Sequence, residues 1–316
     1  MNTERNNARL SHLISSFKDR ISNQQPTIPS GFPSLDTAIS GLNGVGLPPA
    51  LYVVGGESSV GKTTLIQCIF DNIAKSGHDV LIFSLEMSAD ELIAKSISRE
   101  SFIAALKDYP KEPWAHAYSV AQIQYLHEAV QCGQLQPTDK DAVSKLLEEY
   151  DMACDGHMYI YQNSIHGISV EFVHDCIKEH IANTNSTPVI LIDYLQILKS
   201  TSPAATDKSN TDLKIQACAE ICKEFKTPVF AISALNRAGY GENGKPSSKG
   251  LAAFKESGAI EYAADVAIML VDKTPSGCPD EKKIEVQILK NRNGPKGGRL
   301  NLSFIPKFNV FSEASK

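Results

Sequence analysis

Short apolar runs alternate with helical-period stretches along most of this chain. Leu51–Val54, Asp79–Ser84, Met158–Tyr161, Pro188–Ile192 and Val229–Ser233 each read as a short buried strand. Between them, Thr64–Lys75, Ala89–Leu106, Val170–Ala182 and Leu213–Phe225 repeat apolar residues at the three-to-four spacing of a helix. Continuous apolar strands are buried on both faces, and their alternation with helices predicts an α/β fold with a mostly parallel, doubly wound sheet. The pattern then changes. Asp265–Val271, Lys283–Leu289 and Leu300–Ile305 are separated by Pro and Gly turns instead of helices, which predicts antiparallel strands added at the C-terminal edge.

Two stretches fall outside this alternation. Leu10, Leu13, Ile14, Phe17 and Ile21 recur at helical spacing, with charged residues between them. They predict an amphipathic helix of about three turns, marginal alone in water and in need of a surface. That surface is either its own domain or a neighbouring subunit. Asn23 to Gly31 then reads as a linker, so residues 1–30 are a helix plus linker and 31–316 the main domain. Residues 100–157 hold Trp114 and two helical patterns, Val120–Val130 and Lys140–Tyr150, and read as a helical elaboration of that domain. Thr201–Thr211 and Ala238–Gly250 are polar, Ser-, Gly- and Asn-containing loops.

Composition narrows the classes. The 316 residues carry a net charge of −5, which argues against a surface that is a nucleic-acid footprint throughout but allows a local basic groove. No apolar run approaches a membrane span, and Met1 to Arg9 lead into no signal-peptide core. The expected compartment is the cytoplasm, with no membrane partner. The seven cysteines are dispersed, which does not suggest a disulfide framework. Cys218/Cys222 and Cys176/His180 have helical metal-pair spacing, but nothing in the sequence brings them together.

The chemistry centres on Gly56-Glu57-Ser58-Ser59-Val60-Gly61-Lys62-Thr63, which fits G-x-x-x-x-G-K-[ST] between a strand and a helix. Here backbone N–H groups and a helix N-terminus face phosphates, Lys62 reaches the β- and γ-phosphates, and Thr63 offers a hydroxyl to Mg²⁺. Thr64 completes the candidate nucleotide-binding set. Glu86 follows the second strand, where a carboxylate can orient the attacking water. The alternative is an acid of the helix start at Ser88-Ala89-Asp90-Glu91. Asp193 ends the run Val189–Ile192, and a carboxylate there is costly unless it meets a cation, here Mg²⁺ held together with Thr63. Ser233 and Asn236 are polar groups at another strand end, suited to relaying the γ-phosphate state or simply to closing a turn. Lys290 and Arg292 are two apart on a strand and so share a face. They are either a pair gripping a phosphate bound by an adjacent subunit or a basic hairpin tip.

Together these elements resemble the RecA-like motor domain of DnaB-type replicative DNA helicases, over about Gly31 to Phe311. Gly31-Phe32-Pro33-Ser34-Leu35-Asp36 resembles the family's entry segment, and Gly56–Thr63 its phosphate loop. Leu85-Glu86-Met87-Ser88 is similar to the element carrying its catalytic glutamate. Ile192-Asp193-Tyr194-Leu195-Gln196 matches its Mg²⁺ motif, and Lys255–Glu261 with Ala264-Asp265 its fourth motif. Lys290-Asn291-Arg292-Asn293-Gly294-Pro295 resembles its finger motif, which implies Arg292 as an arginine finger with Lys290 beside it. The resemblance further implies an ATP- and Mg²⁺-dependent helicase, a hexameric ring with ATP between subunits, and Leu10–Ile21 docked on the next subunit. Single-stranded DNA would thread the centre, met by Lys208, Arg237, Lys245 and Lys249.

Two departures set further expectations. The family's N-terminal helical domain, which meets primase, is replaced here by a short helix, so a separate loader or primase protein is the expected partner. The family's Ser-Gln-Leu-Asn-Arg signature reads Ser233-Ala234-Leu235-Asn236-Arg237, and alanine cannot report on a γ-phosphate. Weaker coupling of DNA binding to hydrolysis is expected. These departures also fit a RecA-like ATPase that is not a helicase but a loader, regulator or recombination accessory.

Overall fold

The apolar runs lie side by side in a single sheet. A computed structural model describes residues 10–22, 28–42, 45–162, 167–199, 207–233, 257–278 and 280–313. Among them are nine strands: β1 (Leu51–Gly56), β2 (Val80–Ser84), β3 (Met158–Gln162), β4 (Val189–Asp193), β5 (Val229–Ile232), β6 (Val266–Asp272), β7 (Lys282–Asn291), β8 (Arg299–Ile305) and β9 (Val310–Glu313). Their order across the sheet is β3-β2-β4-β5-β1-β6-β7-β8-β9. The strands from β3 to β6 in that order are parallel, and β7, β8 and β9 add antiparallel. This is the mostly parallel α/β sheet with an antiparallel C-terminal edge that the pattern predicts.

Helices cover both faces, which is why the central strands need apolar residues at every position. The described helices are α1 (Leu10–Ser22), α2 (Pro33–Ser40), α3 (Lys62–Lys75), α4 (Ala89–Asp108), α5 (Pro113–His116), α6 (Val120–Gln124), α7 (Leu126–Gln131), α8 (Asp139–Cys154), α9 (Val170–Thr184), α10 (Asp207–Phe225) and α11 (Ser257–Ala263). On one face Tyr52, Val54, Ile82, Leu191 and Phe230 pack with Leu65, Ile66, Ile69 and Phe70 of α3. On the other, Leu51, Val53, Leu81, Phe83 and Ile190 pack with Val173 and Ile177 of α9 and Ile215 and Cys218 of α10. Phe230 stacks on Tyr52 at 4.5 Å and meets Phe70 edge-on at 5.6 Å. Burying one such side chain contributes about 1.5–3 kcal/mol.

Polar cross-links then fix α4 over α3. Gln67 on α3 donates to Leu92 O at 2.6 Å and to Ser96 Oγ at 2.8 Å on α4. One turn later Asp71 forms a buried ion pair with Arg99 of α4, and Tyr150 of α8 donates to Asp71 Oδ1 at 3.1 Å. A small third core of Phe102, Ala105, Phe308 and Val310, with Trp114 against it, joins the helical segment to the turn before β9.

Two local expectations change, and one open alternative narrows. The helical pattern at 120–130 is two short helices separated at Tyr125, where ψ is 42°. α10 starts at Asp207, so residues 207–211 are helix and not loop, and Lys208 lies in its first turn. The polar run Asp207–Asp212 carries no apolar periodicity, which hides a helix start from a pattern reading. On α1, Leu10, Leu13, Ile14 and Phe17 are all exposed, so these four are not buried on this chain. Arg237, Lys245, Lys249, Ala234 and Asn236 lie outside the described residues.

Candidate active site

β1 is buried along its whole length at the middle of the sheet, and the phosphate loop springs from its C-terminal end. Gly61 sits at φ 98°, a left-handed conformation that L side chains rarely adopt, and a Cβ there would lie 2.9 Å from the Phe311 ring. A Cβ on Gly56 would lie 2.8 Å from Val60 and 2.9 Å from the Leu270 carbonyl, so the turn closes only with glycine. Val60 is buried in the core and anchors the loop from beneath. Gly61 caps α3, which starts at Lys62 and aims its N-terminal N–H groups into the loop.

An open pocket of about 660 Å³ lies over this loop. Gly56, Ser58, Ser59, Gly61, Lys62, Thr63 and Thr64 form its floor, and Glu86, Lys95, Asp193, Tyr194, Phe304 and Pro306 are among its walls. Lys62 Nζ donates to Gly56 O at 3.0 Å and Glu57 O at 2.8 Å, which holds the ammonium at the loop. Burial lowers the Lys62 pKa, while Asp193, Glu86 and Glu57 oppose that shift. Thr64 donates its hydroxyl to Asn309 Oδ1 at 3.1 Å, leaving its backbone as its contribution to the loop.

Asp193 and Glu86 arrive from neighbouring strands. β2 and β4 pair Ser84 with Asp193, and Leu85 N donates to Asp193 O at 2.7 Å. Ser84 Oγ donates to Met87 O at 2.6 Å and shapes the turn that presents Glu86. Ser88 caps α4 and Glu91 closes the capping box. Glu86 therefore stands outside the cap, exposed at the pocket wall. Asp193 is 3% exposed. Burial pushes its pKa up to about 6 against a hydrogen bond from Thr63 and the attraction of Lys95 and Lys62.

This donor set fits a divalent cation. A buried carboxylate pushed up by desolvation and hydrogen-bonded to a threonine hydroxyl regains a favourable ionised form when a cation joins it.

Lys95 escaped the sequence reading. It lines the pocket, its Nζ lies 3.3 Å from Met87 Sδ, and burial lowers its pKa against the pull of Asp193, Glu91 and Glu86. Glu91, Lys95 and Arg99 follow one stripe of α4. The buried Arg99–Asp71 pair sets the helix rotation that turns Lys95 inward. The i,i+4 spacing from Glu91 was the available signal. Asn309 behind Thr64 had none, since a turn 245 residues downstream supplies it. Ser233 is fully buried, accepts from Gln196 Nε2 at 3.0 Å and braces the ends of β4 and β5.

Lys290 and Arg292 lie elsewhere. β7 is antiparallel to β6, so Lys290 pairs with Ala267 and Asn291 with Val266, at the start of β6. β6 runs parallel to β1, with Val266 beside Tyr52 and Leu270 beside Gly56. At about 3.3 Å per residue, the run from Val266 to Leu270 puts the two cations about 13 Å along the sheet from the phosphate loop. Both reach the end of α11. Lys290 Nζ donates to Glu261 O and Ala264 O, each at 2.5 Å, and Arg292 donates to Tyr262 O at 2.8 Å and pairs with Asp265 at 2.7 Å. Asn291 points to the other side and donates to Ile39 O. Burial, and then the charge of Arg292, lowers the Lys290 pKa.

Comparisons with known proteins agree with this architecture. The family described as the DnaB-like helicase C terminal domain matches residues 27–313. The chain is 28% identical over 288 residues to a replicative DNA helicase DnaB of Geobacillus stearothermophilus, covering 90% of this chain and 56% of that protein. It is 27% identical over 288 residues to the replicative DNA helicase DnaC of Bacillus subtilis, with the same coverage. The chain thus spans about half the length of these relatives. Among solved structures, an ATPase domain superposes with a TM-score of 0.76 at 19% identity over 98% of this chain and 100% of its own. A DnaB-like replicative helicase, described with its interactions with primase, superposes with a TM-score of 0.74 at 19% identity, over 97% of this chain and 69% of its own. No helix among the described residues is long and apolar enough to cross a membrane.

Proposed function

The chain belongs to the DnaB-like helicase C-terminal domain family, and on that premise we propose that it is an ATP-hydrolysing motor that moves along single-stranded DNA as a ring. One observation carries the reading. The phosphate loop and the Lys290/Arg292 pair sit at opposite ends of the same sheet, further apart than one extended side chain covers. A phosphate met by both is therefore shared between two copies, with the loop from one and the guanidinium from the next.

Within one copy the roles divide by position. Backbone N–H groups of Ser58 to Thr63 and the α3 N-terminus cradle the phosphates, and Lys62 neutralises the β- and γ-phosphates. Asp193 and Thr63 would hold Mg²⁺, which supplies charge neutralisation between the phosphate oxygens. Glu86 orients the attacking water, and Lys95 screens the charge that builds on the γ-phosphate. Phe304 and Pro306 give the base an apolar wall. Arg292, with Lys290 beside it, stabilises the transferring phosphoryl group of the neighbour's nucleotide. The α1 stripe docks on an adjacent subunit, and six copies close the ring. Lys208, Arg237, Lys245 and Lys249 contact the DNA backbone, a contact that weakens with salt. A separate loader or primase protein delivers the ring.

The test is strand displacement with Mg²⁺ and ATP, using Lys62→Ala as the inactive control. Displacement that vanishes in the control supports the motor. ATP-dependent assembly without displacement favours a loader or regulator. A particle that stays monomeric with ATP, Mg²⁺ and DNA contradicts both. Because Ala234 stands where the family has Gln, hydrolysis in the native chain responds to DNA less than in an Ala234→Gln variant; equal stimulation of the two contradicts that point.

A further inference from the structure

We propose that Asp265 is a positioning residue that aims Arg292 at the neighbouring subunit's nucleotide, an inference that rests on the finger reading given above. Asp265 sits between α11 and β6 and uses each of its polar atoms. Its Oδ2 accepts from Leu51 N at 3.0 Å, the first residue of β1. Its Oδ1 pairs with Arg292 Nη1 at 2.7 Å. Its own N–H donates to Leu51 O at 3.0 Å, and its carbonyl accepts from Arg292 N at 2.9 Å. The carboxylate is thereby fixed to the start of the central strand, which is buried along its whole length, and Arg292 is fixed to the carboxylate.

The guanidinium keeps spare capacity in this arrangement. Arginine carries five N–H donors. Asp265 and the Tyr262 carbonyl engage Nη1 and Nη2, each at one hydrogen bond. The remaining donors belong to a side chain that is 45% exposed, so Arg292 can meet a phosphate without leaving Asp265. A long side chain whose guanidinium is already held in this way loses less rotamer freedom when the phosphate arrives. Lys290 is held alongside by the last carbonyls of α11, so the two cations are presented as a fixed pair. The strand that ends in one subunit's phosphate loop thus begins at the brace for the finger that serves the next.

The experiment is a kinetic cycle on the full chain. Asp265→Ala is expected to lower kcat by about 10–100-fold with KM for ATP within about threefold, as for a lost transition-state contact that depends on placement. In an Arg292→Ala background the same change is expected to add nothing. Asp265→Asn, which keeps one acceptor for Leu51 N–H, guards against a fold defect and is expected to show the same non-additivity with a smaller loss. Additive losses with Arg292→Ala, or an unchanged kcat in Asp265→Ala, overturn the proposal. Co-expression separates it from its premise. Lys62→Ala with Arg292→Ala reports on the finger itself, and Lys62→Ala with Asp265→Ala reports on the brace. Recovery of hydrolysis in both pairs supports the proposal. Recovery in the first pair alone overturns it while leaving the finger intact, and recovery in neither removes both.

Discussion

The two ends of the sheet treat their charges in opposite ways. At the phosphate loop, Lys62, Lys95, Asp193 and Glu86 converge on one pocket, and burial works against the charge of both lysines and Asp193. At the far end, Lys290 and Arg292 lie outside that pocket. They rest on the last carbonyls of α11 and on Asp265, with Arg292 nearly half exposed. The first end has the means for phosphate chemistry within one copy. The second is braced and still has donors to give, which is what a group serving another copy needs. Packing explains why the ends differ. The loop follows β1, covered on both faces, whereas the cations follow an antiparallel edge addition.

The largest expected break in this comparison is Arg292→Ala. It lowers kcat by about 10³-fold or more while nucleotide binding, measured by equilibrium titration, stays within about threefold of the native value. A similar loss in binding would place Arg292 in its own subunit's pocket. Next is Glu86→Gln, expected to cost about 10²–10⁴ in kcat with ATP and Mg²⁺ still bound. An unchanged rate would reduce Glu86 to a neighbour of the α4 cap.

Stability sharpens the same contrast. Asp71→Ala leaves Arg99 buried and unpaired behind the phosphate helix, and denaturant unfolding should show a loss of about 3–5 kcal/mol. Arg292→Ala removes a half-exposed ion pair and should cost under about 1 kcal/mol. Equal losses would mean that the finger edge is as tightly built as the loop.

The loop end also carries a pH dependence of its own. Asp193 has a folded pKa of about 6 against 3.8 for the ordinary carboxyl. The protonated form is therefore favoured on folding. Its contribution to stability is complete below about 4 and is lost as pH rises through about 6, up to about 3 kcal/mol in all. Without Mg²⁺, Asp193→Asn should melt above the native protein at pH 7.5, and the two should converge near pH 4.5. Added Mg²⁺ and ATP should favour the native protein at pH 7.5. Asp79 runs the other way at the opposite end of β2. Burial raises its pKa, but hydrogen bonds from Ser186, His157 and His180 outweigh it and hold the carboxyl low, so its contribution falls away only at more acidic pH.

Most of the fold was legible because its signals are local. Apolar runs of strand length mark β1, β2, β4 and β5, and the loop motif marks the turn after β1. Asp193 and Glu86 were readable because each follows an apolar strand. Lys95 was not, since its direction depends on how Asp71 and Arg99 lock two helices together. Asn309 was not, because only the folded C-terminal turn brings it to Thr64. The start of α10 reads as loop for a third reason: Asp207–Asn210 are all polar and carry no apolar stripe. Spacing put Lys290 and Arg292 on one face, and the antiparallel register then set them at the end of the sheet away from the loop.

The division of the site between two copies is tested most directly by hydrolysis in a co-expressed mixture of Lys62→Ala and Arg292→Ala chains. Each variant alone should be nearly inactive. In a random one-to-one mixture, roughly a quarter of the interfaces combine an intact phosphate loop with an intact finger, and ATPase activity should return to about that fraction of native. A mixture as inactive as its two components would contradict a shared site.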